Sequence, residues 1–96
     1  VNAIEYAARL ISELVRLGEA LKAPQHLDQR FDPAFSTVQT GLINGGKALN
    51  IVPQDCSFDF EVRSLPTQDP WQVARQLQVY AEQTLLPAMR AVRNSA

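Results

Sequence analysis

An amide and a guanidinium occur in this chain at a spacing that could bind an anion. Asn50 follows a glycine pair, Gly45 and Gly46, that predicts a bend, and Arg63 lies thirteen positions after Asn50 in an alternating segment. A guanidinium binds a carboxylate through two parallel hydrogen bonds, and a side-chain amide can add another. Asn50 and Arg63, beside Gly45 and Gly46, could therefore bind an anionic substrate. The chain has one histidine and one cysteine, so we interpret the site as part of an enzyme that other residues complete.

The same residues also permit more ordinary roles. Arg63 shares a strand face with Asp59 and Glu61, and a surface ion pair with either is the preferred role from the residues alone. Asp59 and Glu61 could form an acid and base pair, but carboxylates beside an arginine are more typical of a solvated sheet surface. Lys47 after the two glycines resembles a phosphate loop only superficially, because the P-loop spacing is absent.

No complete metal site is expected in this chain. His26 has Asp28 and Asp32 nearby, but a metal site needs at least three converging ligands, and no H-x-D, H-E-x-x-H or C-x-x-C motif occurs. We expect His26 to be a solvated loop residue. Cys56 cannot form an internal disulfide, and its place in an alternating strand predicts a buried, inert thiol rather than a reactive one.

Composition and charge exclude several classes of partner. Nine basic and ten acidic side chains give a net charge of -1, which argues against nucleic acid and anionic membrane surfaces as partners. No charged leader and no run of about 18 apolar residues occurs, so we expect a soluble protein. The single cysteine fits the cytoplasm. Hydrophobic residues make up 46% of the chain and charged residues 20%, as in one ordinary globular domain spanning residues 1–96.

The beginning of the chain predicts an amphipathic helix. Its apolar residues recur at helical spacing: Ile4, Ala7, Ala8, Ile11, Leu14, Val15 and Leu21. A second set widens the apolar face: Leu10, Leu14, Leu17 and Leu21. This set is either a broad core face or a contact surface for a partner chain. The helix begins without an evident N-cap, which predicts that the chain is cut from a longer protein.

Two strands and a second helix are predicted after a polar loop at residues 22–34. The strands are residues 35–43 and 55–65, and in the second strand Cys56, Phe58, Phe60 and Val62 alternate with polar residues. Asp69 and Pro70 predict the start of the second helix. Pro87 is expected to kink this helix before Met89 and Val92.

The order helix, strand, strand, helix predicts an α+β fold with two helices packed on one face of an antiparallel sheet. Two strands are too few to cover two helices, so we expect further strands outside these residues. One strand before and one after would give a ferredoxin-like split β-α-β topology that lacks its outer strands in this chain.

A family resemblance rests on residues 45–53, Gly-Gly-Lys-Ala-Leu-Asn-Ile-Val-Pro, and on the strand that ends at Arg63. These residues resemble the central domain of the zinc-dependent aminoacylase and deacylase metallopeptidase family, and the match covers nearly the whole chain. Residues 1–5, 31–41 and 86–92 look most like the acetylornithine deacetylase branch of that family.

The resemblance implies a two-domain, usually dimeric enzyme. One domain binds two zinc ions, with cobalt as a possible replacement, and a smaller α+β lid forms the dimer contact. This chain would be the lid, with Asn50 and Arg63 in contact with the substrate carboxylate. The family's lid histidine would precede Val1 and is absent, and the metal ligands belong to the other domain. The chain alone is therefore expected to be inactive, with no catalytic residue and no metal of its own.

Two hypotheses follow from the residues and the resemblance. The first is the dimerisation and substrate-binding lid of a cytoplasmic zinc amidohydrolase that hydrolyses an N-acyl amino acid, with N-acetylornithine as the best candidate. The homodimer would form through the first helix and the sheet edge. The alternative is a stand-alone interaction or small-molecule-binding regulatory module of ferredoxin-like topology.

Overall fold

The computed structural model describes residues 1–88 as two helices and a two-stranded antiparallel sheet. In chain order the elements are helix α1 at Ala3–Ala20, strand β1 at Thr37–Gly45, strand β2 at Cys56–Arg63 and helix α2 at Gln72–Tyr80. A 3-10 turn at Pro24–His26 interrupts the first loop, and a π-helical turn at Ala81–Leu85 extends α2. The predicted α+β class is confirmed, while the ferredoxin-like topology with outer strands stays a prediction.

Helix α1 begins with a side-chain cap that the sequence reasoning missed. The Oδ1 atom of Asn2 accepts a hydrogen bond from the backbone N–H of Glu5 at 3.1 Å. Asparagine is among the best N-cap residues, and Glu5 in the first turn adds favourable negative charge at the positive end of the helix dipole. The prediction of an uncapped helix was therefore wrong.

The two strands form a hairpin whose register determines which residues share a face. Thr37 lies opposite Arg63, and Gly45 lies opposite Cys56, with a bulge between Thr40 and Leu42. The first strand begins and ends two residues later than predicted. It ends later because Gly45 belongs to the ladder rather than to the turn.

Strand β2 alternates as the sequence predicted. Its half-buried residues are Cys56, Phe58, Phe60 and Val62, and its exposed residues are Ser57, Asp59, Glu61 and Arg63. Successive side chains of a strand point to opposite faces, so one face covers the core and the other is open to solvent.

The hydrophobic core lies between the two helices and the covered face of the sheet. Its centre is formed by buried residues of α1 and α2, namely Leu14, Leu17, Val73 and Leu77. Leu10 and Leu21 are partly buried against this centre, as are Val38 and the phenylalanines of β2. The interpretation of the second apolar set of α1 as a broad core face is confirmed. The alternative, that part of this apolar face contacts a partner chain, stays a prediction.

A buried hydroxyl ties the first strand to the connection between β2 and α2. Ser36 is 2% exposed, and its hydroxyl accepts a hydrogen bond from the N–H of Leu65 at 2.9 Å and donates one to the Gln68 side chain. The Gln68 amide in turn donates to the His26 carbonyl oxygen at 3.4 Å. These bonds join the connection between α1 and β1 to the connection between β2 and α2, and no sequence pattern had pointed to Ser36.

Helix α2 starts close to the predicted position. The Asp69 carboxylate accepts a hydrogen bond from the N–H of Trp71 at 2.9 Å and pairs with Arg75. The hydrogen bond from Arg75, followed by that from Trp71, lowers the pKa of Asp69 from its ordinary value. The π-helical turn at Ala81–Leu85 ends two residues before Pro87, which has no N–H to donate. Met89 and Val92 lie outside the described residues.

Removal of the Ser36 hydroxyl is expected to destabilise the fold. Ser36→Ala leaves the buried N–H of Leu65 without its acceptor, so we expect unfolding free energy to fall by about 1–3 kcal/mol. Urea denaturation followed by circular dichroism measures the loss. Ser57→Ala, on the exposed face of β2, is the matched control and should change stability by less than about 0.5 kcal/mol. Equal effects of the two variants would contradict the role assigned to Ser36.

The hairpin should also tolerate a methyl group at one glycine and not at another. A Cβ atom at Gly45 would lie 2.9 Å from the Cys56 Sγ and 3.0 Å from its Cβ, whereas a Cβ at Gly41 meets nothing within 4 Å. We expect Gly45→Ala to cost about 1–3 kcal/mol by overpacking, and Gly41→Ala to cost much less. The same denaturation experiment compares them, and a Gly45→Ala protein as stable as Gly41→Ala would refute the packing argument.

Candidate functional site

The loop between the strands, residues 46–55, is held by the first turn of α1. Gly46 has a φ of +86°, in the left-handed region that favours glycine, and a Cβ there would lie 3.3 Å from Ile4 Cδ1. The N–H of Ala3 donates to the carbonyl oxygen of Pro53 at 3.0 Å. A backbone donor that the helix leaves unpaired at its start therefore positions the loop.

Asn50 lies at an exposed turn in the middle of this loop. The turn is closed by a hydrogen bond from the N–H of Ile51 to the carbonyl oxygen of Ala48 at 3.2 Å. Leu49, its neighbour, has no contact that shields it from solvent, with a relative exposure of 107%. The amide is thus carried on a projecting loop, where an approaching ligand can reach it.

An open groove of about 650 Å³ runs along the base of the loop. Its lining includes Gly45, Gly46, Lys47, Asp55 and Cys56, together with Ile51 and Val52. The predicted glycine pair therefore does border a concave surface. Asn50 itself does not line the groove, although the residues that follow it do.

Arg63 lies at the other end of the hairpin. It pairs with Thr37, whereas the loop begins beyond the pairing of Gly45 with Cys56. A strand advances about 3.3 Å per residue, so the path from Cys56 to Arg63 covers about 23 Å. The structure does not bring Arg63 next to Asn50 within one protomer. The sequence had suggested that Asn50 and Arg63 share one binding site, but most of the thirteen-residue interval between them is the extended strand β2.

The guanidinium of Arg63 forms the surface ion pair that was considered as its ordinary role. Its Nε atom lies 2.7 Å from Oε1 of Glu61, and the two side chains are 79% and 60% exposed. The hydrogen bond to the Glu61 carboxylate raises the pKa of Arg63 from its ordinary value. Exposed pairs of this kind contribute little to stability because water screens them, so the guanidinium can exchange Glu61 for a ligand carboxylate.

The described part of the chain does not fit a zinc site. Among residues 1–88, no three histidine, cysteine, aspartate or glutamate side chains lie close enough together to hold a metal ion. His26 is exposed at the end of its 3-10 turn, as expected. Cys56 is partly exposed beside Gly45, so the prediction of a buried thiol was wrong because nothing covers this end of the sheet completely.

No helix within residues 1–88 is long and apolar enough to cross a membrane.

Comparison with known proteins identifies relatives over nearly the whole chain. The model of the M20 peptidase dimerisation domain family matches residues 1–89. An acetylornithine deacetylase of Myxococcus xanthus is 37% identical over 82 residues, which are 85% of this chain and 21% of that protein. The acetylornithine deacetylases of Salmonella arizonae and Salmonella newport are 35% identical over 66 residues, 69% of this chain and 17% of theirs. No solved structure matches.

The chain spans about a fifth of the length of the curated relatives it matches. The family match, by contrast, takes in α1, the hairpin and α2 together. The chain therefore belongs to the peptidase dimerisation domain family.

Proposed function

We propose that this chain is the dimerisation and lid domain of a zinc-dependent amidohydrolase that releases ornithine and acetate from N-acetylornithine, as a step toward arginine. The family match over residues 1–89, together with relatives named acetylornithine deacetylase, carries the proposal. Zinc supplies Lewis acidity and an activated water when bound. The ions would lie outside this chain, in a second domain, and a cytoplasmic location belongs to the same proposal. No observation on the described residues favours the stand-alone regulatory module.

The proposed dimer surface combines a flank of α1 with the edge of β1. Apolar residues recur along this flank and remain at least partly exposed: Ile4, Ala8, Ile11 and Val15. Helix α1 lies along β1, because a Cβ at Gly18 would be 3.3 Å from Val38 and one at Gly46 would be 3.3 Å from Ile4. The flank therefore runs beside β1, which pairs with β2 alone in the described sheet. A second copy could cover both surfaces by a two-fold contact.

A charge on the flank of α1 should weaken the dimer. Val15 is 58% exposed, so Val15→Glu is compatible with the fold but would place a carboxylate in the proposed contact. We expect the dissociation constant of the full-length protein to rise by at least about a hundredfold. Light scattering over a concentration series measures it. Val79→Glu on α2, where Val79 is 47% exposed, is the control and should remain dimeric. A Val15→Glu protein as dimeric as this control would refute the proposed surface.

The substrate carboxylate is proposed to contact Asn50 and Arg63, with Gly45 and Gly46 allowing close approach of the loop backbone. The loop and Arg63 are separated by the length of β2 in one protomer. An arginine side chain cannot bridge about 23 Å. A carboxylate that contacts both side chains must therefore receive them from different protomers. A domain that dimerises supplies that arrangement.

Loss of either side chain should weaken turnover of N-acetylornithine by the zinc-loaded full-length enzyme. We expect Asn50→Ala and Arg63→Ala each to lower kcat/KM by about ten- to a hundredfold, because each removes a hydrogen bond to a charged group. Arg30→Ala is the control, since Arg30 also forms an exposed ion pair, with Asp28, but lies in a different loop. If kcat and KM of Arg63→Ala both equal those of the control, Arg63 has no role in substrate binding.

Mixed dimers test whether the two side chains come from different protomers. A dimer of one Asn50→Ala chain and one Arg63→Ala chain would keep one intact site of its two. Random exchange of the two weakened parents should then raise the activity to about a quarter of the wild-type value. If both side chains acted within one protomer, every site would lack one of them. No recovery on mixing, with exchange verified by mass, would therefore contradict the proposal.

A further inference from the structure

The groove beside the loop contains one positive and one negative side chain that approach it from opposite arms of the hairpin. Gly45 pairs with Cys56 at the end of the ladder. Lys47 lies two residues after Gly45 on one arm, and Asp55 directly precedes Cys56 on the other. Both residues line the groove. Five ion pairs occur among residues 1–88, and neither Lys47 nor Asp55 belongs to one of them. Each charge is therefore available to a ligand rather than neutralised by a neighbour.

The wall between these charges is apolar. Ile51 and Val52 line the groove and are 52% and 60% exposed, and Pro53 lines it beside them. Such a surface matches a short chain of methylene groups, which gains free energy when it leaves water. The volume of about 650 Å³ lies in the range of pockets that hold small ligands.

An N-acylated diamino acid has the matching distribution of charge. Acylation removes the charge of its α-amine, which leaves an α-carboxylate and an ammonium at the far end of the methylene chain. Lys47 lies three residues before Asn50 in the same loop, at the arm proposed to meet the carboxylate. Asp55 is the carboxylate among the groove-lining residues and the natural partner for an ammonium.

We infer that Asp55 is the residue that selects substrates with a positively charged side chain. The inference rests on the proposed function and deepens it, because it assigns the choice between diamino acids and neutral amino acids to one carboxylate of this domain. Asp55 is exposed in the open groove. A ligand that fills the groove excludes water from this carboxylate, and a neutral side chain of the same shape then leaves it without an ammonium partner and binds less well.

The test compares two substrates of nearly equal shape with the metal-loaded full-length enzyme. N-acetylornithine carries the ammonium, and N-acetylnorleucine replaces it with a methyl group. We expect Asp55→Asn to lower kcat/KM for N-acetylornithine by at least about tenfold and to change that for N-acetylnorleucine by less than about twofold. Asp55→Glu should recover most of the preference. Asp59→Asn, on the open face of β2, is the control and should leave both values unchanged.

Distinct results separate the inference from the function on which it rests. An equal loss of kcat/KM on both substrates would show that Asp55 only supports the loop. No loss on either substrate would show that Asp55 does not contact the substrate side chain. Each of these results overturns the inference but leaves the proposed deacylase function intact. A wild-type enzyme that hydrolyses both substrates equally well also overturns it. A wild-type enzyme that hydrolyses neither refutes the proposed function and the inference together.

Discussion

The close packing of α1 on β1 is the contact on which the rest of the domain depends. A glycine near each end of this contact permits the close approach. A Cβ added at Gly18 would lie 3.3 Å from Val38, and a Cβ added at Gly46 would lie 3.3 Å from Ile4. This packing lets Leu14 and Leu17 reach the core shared with α2. It also brings the start of α1 to the loop, where the N–H of Ala3 donates a hydrogen bond to the carbonyl oxygen of Pro53. Helix position, core and groove are thus consequences of one contact.

The described chain is more extended than a self-contained domain. Its Cα radius of gyration is 16.1 Å, against about 12.5 Å for a compact domain of this length. Large apolar side chains remain exposed on the hairpin and its loop, among them Leu42, Ile43 and Leu49. A two-stranded sheet is also marginal in water by itself. These features agree with a domain whose surfaces are completed by other parts of a larger protein.

Local patterns in the sequence predicted what depends on local physics. The alternation of Phe58 and Phe60 with polar residues identified β2 and its covered face, and the spacing of the leucines identified the inner face of α1. Ser36 was missed because its partners, Gln68 and Leu65, lie about thirty residues away and no spacing rule connects them. The cap at Asn2 could have been found, since asparagine is a preferred N-cap.

The candidate site was predictable in its parts and not in its assembly. The bend at Gly45 and Gly46 follows from residue type, and the structure places both glycines beside the groove. The distance between Asn50 and Arg63 does not follow from the number of residues between them. Eight of the residues up to Arg63 form an extended strand, which separates the two side chains widely. Only the pairing of Thr37 with Arg63 shows at which end of the sheet the guanidinium lies.

The hydrogen-bonded hairpin has a mechanical consequence. A paired ladder resists bending, so the loop and Arg63 move as the two ends of a stiff arm about 23 Å long. A rotation of about 10° about the Arg63 end would displace the loop by about 4 Å, the scale of hinge movements between domains. Small changes in domain orientation would thus carry the whole groove toward or away from the surfaces it faces without breaking a single hydrogen bond inside the hairpin.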